Sequence, residues 1–292
     1  MAQTAAPVVE FDHVGKRYPD GAEAVADFSM VVPAGRITVL LGSSGCGKTT
    51  LLRMVNRMIT PTSGRILIDG RDVAQRDPVQ LRRQIGYVMQ DAGLLPHKRV
   101  IDNICTVPLL NGVQKADAQA RGLAMMDLVG LDRGLANRFP AQLSGGQRQR
   151  VGVARGLAAD QQLLLMDEPF GAVDPIVRAD LQQDLKALQR QLAKTIIFVT
   201  HDIGEAFRLG DHIVLLADRG RIAQQGTPHD LVTSPASEFV THFIGLRTGQ
   251  SALRVESVDG VEVVVDGHGR PVGKLVDGHG GPVGKLVDGD LQ

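Results

Sequence analysis

Apolar residues follow two rhythms along this chain, and their alternation predicts an α/β fold. Val8 to Val14 and Arg65 to Gly70 read as strands, the second closed by a turn glycine. Ile37-Thr38-Val39-Leu40-Leu41 is a short apolar run that stops at Gly42. From Thr49 to Met58 the rhythm becomes helical, with Leu51, Leu52 and Val55 on one face. Asn111 to Asn137 loses strand character, and Met125, Met126, Leu128 and Val129 recur at helical spacing. A helical subdomain over approximately residues 91–158 is the expectation. A second α/β stretch follows. Leu163-Leu164-Leu165-Met166 suits a buried parallel strand. Pro175 opens a helix at its first turn, with Val177, Leu181, Leu185, Leu188 and Leu192 along one face. Ile196 to Val199 and Ile213 to Leu216 predict two more strands, and Arg219-Gly220 turns the chain into a hairpin through Ile222.

The C-terminal part changes character. Val265 to Leu275 is repeated almost letter for letter by Val276 to Leu286, and a third copy begins at Val287. Two copies and a fragment are too few for a solenoid, which needs about three repeats to bury a core. Short hairpins or an irregular tail over residues 246–292 are expected, beside one large domain over residues 8–245.

Composition narrows the function. Thirty-two basic residues balance thirty-two acidic ones, so bulk charge offers no electrostatic footprint for a nucleic-acid partner. The two cysteines, Cys46 and Cys105, make no disulfide framework and suit a reducing cytosol. No apolar run approaches the roughly 20 residues that span a bilayer, and residues 1–7 lack a signal-peptide pattern. Any membrane role is expected to be peripheral, through partner subunits.

The chemistry begins where the Ile37 run ends, at Gly42-Ser43-Ser44-Gly45-Cys46-Gly47-Lys48-Thr49, followed by Thr50. Glycines let backbone N–H groups approach phosphates closely, and the following helix adds its positive end. Lys48 is expected to reach the β- and γ-phosphates and Thr49 to place its hydroxyl on Mg²⁺. Strand, loop and helix in that order are the context this motif requires. Asp167 and Glu168 follow the Leu163 run at a strand's carboxyl end, where open α/β sheets bind ligands. Asp167 is the candidate Mg²⁺ partner and Glu168 the candidate general base.

From about Val8 to Gly245 the chain resembles the ATPase subunits of ABC transporters. The resemblance is carried by the phosphate loop, the acidic pair and Leu143-Ser144-Gly145-Gly146-Gln147, which matches the family signature in full. It implies a P-loop ABC-type fold, with a mixed sheet, an antiparallel β edge and a helical subdomain. It also implies that Tyr18 stacks on adenine, that Gln90 reaches Mg²⁺ and water, and that His201 contacts the γ-phosphate. Asp174 matches the D-loop, although Val173 stands where leucine is more usual. In the family's closed homodimer, Ser144 and Gly146 contact the γ-phosphate held by the other subunit's loop, so two chains share each ATP. Gly156 departs from the usual alanine, at a cost of about 1 kcal/mol in helix propensity.

Ile85-Gly86-Tyr87-Val88-Met89-Gln90, Gly93-Leu94-Leu95-Pro96-His97 and Phe170 to Ile176 resemble importers of quaternary-amine osmoprotectants such as glycine betaine, choline and carnitine. The resemblance implies transmembrane permease partners, an extracytoplasmic binding protein and a place on the cytoplasmic membrane face. Importers of polyamines or methionine fit this region less well. Soluble cassette ATPases are expected to insert a coiled coil or zinc-binding cysteines, and neither is legible. Paired cystathionine-β-synthase-type regulatory domains are common in that group; the repeat here is expected to be at most a remnant of one. Cys46, inside the phosphate loop, suggests that thiol alkylation blocks ATP binding.

Overall fold

The computed structural model describes residues 8–171 and 173–245, with the backbone of four later strands. Side chains at 175–177 and 192 lie outside the described residues, as does Ala172, so the expectations for Val177 and Leu192 fall there. In chain order the elements are β1 (Val9–Arg17), β2 (Glu23–Val32), β3 (Ile37–Gly42), α1 (Lys48–Val55), β4 (Ser63–Ile68), β5 (Arg71–Asp72), α2 (Pro78–Arg83) and β6 (Ile85–Val88). Then come α3 (Val100–Ile104), α4 (Thr106–Leu110), α5 (Lys115–Leu128), α6 (Gly145–Leu157), β7 (Leu163–Asp167), α7 (Pro175–Leu192), β8 (Thr195–Thr200), α8 (Ile203–Leu209), β9 (His212–Leu216) and β10 (Ile222–Gly226). Two short helices follow, α9 (Pro228–Thr233) and α10 (Glu238–Phe243).

Two sheets form the body of the first compact unit, which ends at Pro228. The larger runs β10-β9-β3-β8-β7-β6, parallel throughout except for the antiparallel edge strand β10. Every residue of β3 and β8 is buried, which is why they read as unbroken apolar runs rather than alternating ones. The smaller sheet, β2-β1-β4-β5, is antiparallel. One apolar cluster joins it to α1 and the larger sheet, with Phe11 and Phe28 edge-to-face at 5.1 Å beside Leu51, Leu165 and Val214. The phosphate loop therefore rests on a core built from both sheets.

The departures from the sequence reading have local causes. Strand β2 is unanticipated: its buried residues Val25, Phe28, Met30 and Val32 break alternation where the β1–β2 register shifts. Helix α1 stops at Val55 rather than Met58, because Arg57 adopts φ 55° and Asn56 turns its side chain to the Met58 N–H. Gly156 has a reason of its own. A Cβ there would stand 2.7 Å from Val88 Cγ2, so the bare backbone lets α6 lie close on β6.

The second compact unit begins at His229. It holds α9, α10 and a four-stranded antiparallel sheet in the order β11 (Arg254–Val258), β12 (Val261–Val265), β13 (Pro271–Val276), β14 (Lys285–Val287). The Lys-Leu-Val stretches that cross the two repeat junctions pair with each other, Lys274 opposite Val287, Leu275 opposite Leu286 and Val276 opposite Lys285. The repeat's histidines, His268 and His279, lie outside the described residues.

Candidate active site

Strand β3 delivers the chain, fully buried, into the phosphate loop. Gly42 has no room for a side chain: a Cβ would stand 2.7 Å from the Leu216 carbonyl oxygen on β9. Gly47 adopts φ 105°, and its Cβ would meet the Ala24 carbonyl oxygen on β2 at 2.6 Å. The loop is thus wedged between one strand of each sheet.

Lys48, the first residue of α1, is 5 % exposed. Its ammonium donates to the carbonyl oxygens of Gly42 (2.8 Å) and Ser43 (2.7 Å) and lies 3.8 Å from Cys46 Sγ. None of these partners is a carboxylate. A buried cation held by carbonyl oxygens beside an uncapped helix N-terminus is a receiver for an anion.

Thr49 Oγ1 donates to Asp167 Oδ1 at 2.8 Å. Asp167 ends β7 almost wholly buried, with the Tyr87 hydroxyl and Arg53 Nη2 each 3.5 Å from Oδ2. Burial pushes its carboxyl above the ordinary carboxylate range, against the Thr49 hydrogen bond and the Arg53 charge, and the neighbouring Glu168 adds to the rise. Arg53 Nε in turn donates to the Tyr87 hydroxyl at 3.3 Å.

Glu168 sits in the left-handed region at φ 44°, a strained place for a non-glycine residue, and its N–H donates to the Val199 carbonyl at 3.0 Å. Its carboxylate lies between two side chains from other strands. Oε1 is 3.1 Å from His201 Nδ1, and Oε2 accepts from Gln90 Nε2 at 3.4 Å. Lys48, Thr49, Thr50, Ser44, Gly45, Gly47, Gln90, Glu168 and His201 line one cleft of about 440 Å³ with Ala24.

Other predicted residues stand elsewhere. Tyr18 lies half-buried in the turn between β1 and β2, with Lys16 Nζ 5.3 Å from its ring centroid. Gly42 and Cys46 are buried beneath the loop. Cys46, whose alkylation is expected from the sequence to block ATP binding, is 1 % exposed. Ser144, Gly145, Gly146 and Gln147 form the N-terminal turn of α6, away from the cleft lining. There Ser144 Oγ accepts from the Gln147 N–H (3.2 Å) and Gln147 Oε1 accepts from the Ser144 N–H (2.9 Å), a reciprocal cap. Ser144 is exposed, and a Cβ on Gly146 would meet nothing within 4 Å. Asp174 is exposed just before α7.

The oxygen donors offered by Thr49, Asp167 and Gln90 suit Mg²⁺, which takes one or two carboxylates plus substrate phosphates. Among the described residues no group of three or more His, Cys, Asp or Glu is arranged to hold a metal. Arg53, Tyr87 and Ala24 were not singled out from sequence. Arg53 carried a signal, since it lies one helical turn after Thr49 and so on the same face of α1.

A buried lysine in a glycine loop, an acidic pair at a strand end and a capped glycine turn on a separate helix define a phosphate-loop nucleotide cassette. The ABC transporter family model matches residues 25–171, and the chain belongs to that family. It is 49 % identical over 238 residues to the carnitine transport ATP-binding protein OpuCA of Listeria monocytogenes, covering 82 % of this chain and 60 % of the relative. It is 48 % identical over 239 residues to the glycine betaine uptake system ATP-binding protein YehX of Escherichia coli, covering 82 % and 77 %. The chain thus spans about 60 % of the length of the first of these relatives. A dimeric bacterial ABC transporter cassette superposes with a TM-score of 0.71 at 30 % identity, covering 75 % of this chain and 98 % of the cassette. A post-hydrolysis dimer of an ATP-binding cassette, bound to ADP and Pi, gives 0.70 at 29 %, with the same coverage of each chain.

Proposed function

We propose that this chain is the ATP-hydrolysing subunit of an importer for quaternary-amine osmoprotectants, working as a homodimer beneath transmembrane permease subunits. One observation supports this above the rest: hydrolytic groups carried just beyond the ends of β3, β6, β7 and β8 meet in one cleft, while the signature turn stands exposed elsewhere on the same chain. A second copy facing the first supplies that turn to each cleft.

The residues then divide the work. Lys48 and the amides of Gly45 to Thr49 bind the phosphates and spread the charge that develops on the transferred group. Tyr18 offers a ring for adenine. Thr49, Gln90 and Asp167 hold Mg²⁺, which supplies charge neutralisation on the phosphate oxygens when bound. Glu168 orients the attacking water and takes its proton on a carboxylate oxygen, with Gln90 and His201 fixing that carboxylate from either side. Ser144, Gly145, Gly146 and Gln147 close over the γ-phosphate from the second chain, and Asp174 lies on the surface that meets it. Closing and opening of the pair moves the permease.

The substrate class rests on relatives named for carnitine and glycine betaine. The peripheral, cytoplasmic-face placement agrees with helices among the described residues, none of which is long and apolar enough to cross a membrane. An extracytoplasmic binding protein delivers the solute to the permease in this arrangement, and no nucleic acid takes part. The test is ATP hydrolysis after reconstitution with the permease and binding protein, comparing glycine betaine, choline, carnitine, a polyamine and methionine. Stimulation by a quaternary amine, absent in Glu168→Gln, is expected. Stimulation only by another solute overturns the substrate, and full activity in Glu168→Gln overturns the role of that residue.

A further inference from the structure

The His201 side chain is 58 % exposed, against 18 % for Glu168, yet both of its chain neighbours are tied down. On one side, Thr200 Oγ1 donates to Glu205 Oε2 (2.6 Å), and Glu205 Oε1 accepts from Gln182 Nε2 on α7 (3.1 Å). On the other, Asp202 Oδ1 caps α8 by accepting from the Glu205 N–H (3.0 Å), which leaves Oδ2 to face Arg178 Nη1 on α7 at 3.7 Å. Arg178 and Gln182 are one helical turn apart, so a single face of α7 grips the His201 loop at two points.

Arg178 also reaches the other way. Its Nη2 donates to the Val173 carbonyl at 3.2 Å, inside the Gly171–Asp174 segment that precedes α7. Its Nε is buried with no hydrogen-bond partner. A buried donor left unpaired is costly, so the guanidinium is held where it is by its two outer nitrogens. Those contacts join the Val173 segment to Asp202, the residue after His201.

We propose that Arg178 is a positioning residue for hydrolysis, linking the Val173 segment to the loop that carries His201. The inference rests on the reading of His201 as a hydrolytic residue. Movement of residues 171–174, which a facing chain would press on, is passed to His201 through one rigid planar side chain. Arg178 itself is not among the residues that line the cleft.

The test compares Arg178→Met, Arg178→Lys, Asp202→Asn, the double variant Arg178→Met with Asp202→Asn, and His201→Ala, in the complex reconstituted with its permease. Asp202→Asn keeps an oxygen to cap α8 while removing the charge that faces Arg178. Expected are kcat values roughly tenfold lower for Arg178→Met and Asp202→Asn, with KM for ATP and ATP-driven association changed less than about twofold. Arg178→Lys recovers part of the loss, and the double variant is no worse than either single one. Near wild-type kcat in folded Arg178→Met, or fully additive losses, overturns the proposal. If Arg178→Met fails to fold, Asp202→Asn decides alone: wild-type kcat there overturns it. Full activity in His201→Ala overturns both this inference and the role of His201, whereas a dead His201→Ala beside an unaffected Arg178→Met overturns this inference only.

Discussion

Two helix N-termini to which the proposed function gives the same kind of ligand are finished in opposite ways. That of α1 carries no side-chain cap; its first residue, Lys48, is buried, and its donors open on a cleft that also holds Glu168 and His201. That of α6 is capped by its own Ser144 and Gln147, stands exposed, and leaves open space over Gly146. The first end is embedded in chemistry supplied by its own chain. The second is a finished, stable surface with room for something to close on it. An end that must bind alone needs neighbours, whereas an end that meets a partner's ligand needs rigidity and clearance.

The largest effect expected from breaking this comparison is at the embedded end. Lys48→Ala removes the buried cation, and hydrolysis should fall by on the order of a thousandfold, measured as kcat/KM for ATP. Retained activity would mean that the loop amides suffice. At the exposed end, Gly146→Asp adds a carboxylate at a position whose Cβ would meet nothing within 4 Å among the described residues. Hydrolysis should drop about a hundredfold, while nucleotide affinity of the single chain and its melting temperature stay close to wild type. A collapse of the melting temperature would show that the turn is part of the fold rather than a free surface.

Smaller effects sharpen the frame behind the sites. Gly156→Ala gains about 1 kcal/mol of helix propensity but drives a methyl into the stiff Val88 side chain. A net loss of about 1 kcal/mol in denaturant unfolding is expected, with hydrolysis nearly unchanged. Burial raises the Glu205 carboxyl above its ordinary 4.5, against hydrogen bonds from Thr200 and Gln182. The folded chain therefore holds that proton more tightly than the unfolded one. Its contribution to stability is complete below about pH 4.5 and is lost as pH rises through the raised value. Unfolding of wild type against Glu205→Gln across that range should show the wild type losing ground as pH rises. A difference independent of pH contradicts this.

The contrast also explains what was legible in the sequence. The phosphate loop, the strand before it and the acidic pair are contiguous, so a linear pattern carries them. Ser144 and Gln147 are three residues apart, and their cap is a local matter too. Strand β2 escaped notice because a register shift breaks its alternation, although Ala24 forms part of the cleft wall. The left-handed turn at Glu168 is imposed by β7 and β8 together, and nothing in the dipeptide announces it. The grip of Arg178 and Gln182 on Asp202 and Glu205 joins residues more than twenty positions apart, beyond the reach of any motif.

The central claim is that each working site takes its phosphate loop from one chain and its signature turn from another. It is tested most directly by mixing two inactive variants, Lys48→Ala and Gly146→Asp, in a Glu168→Gln background and measuring ATP-dependent association by analytical ultracentrifugation. Neither variant alone should associate. Their mixture should, because the Gly146→Asp chain's intact loop faces the Lys48→Ala chain's intact signature. A mixture that associates no better than its parents would contradict the shared site.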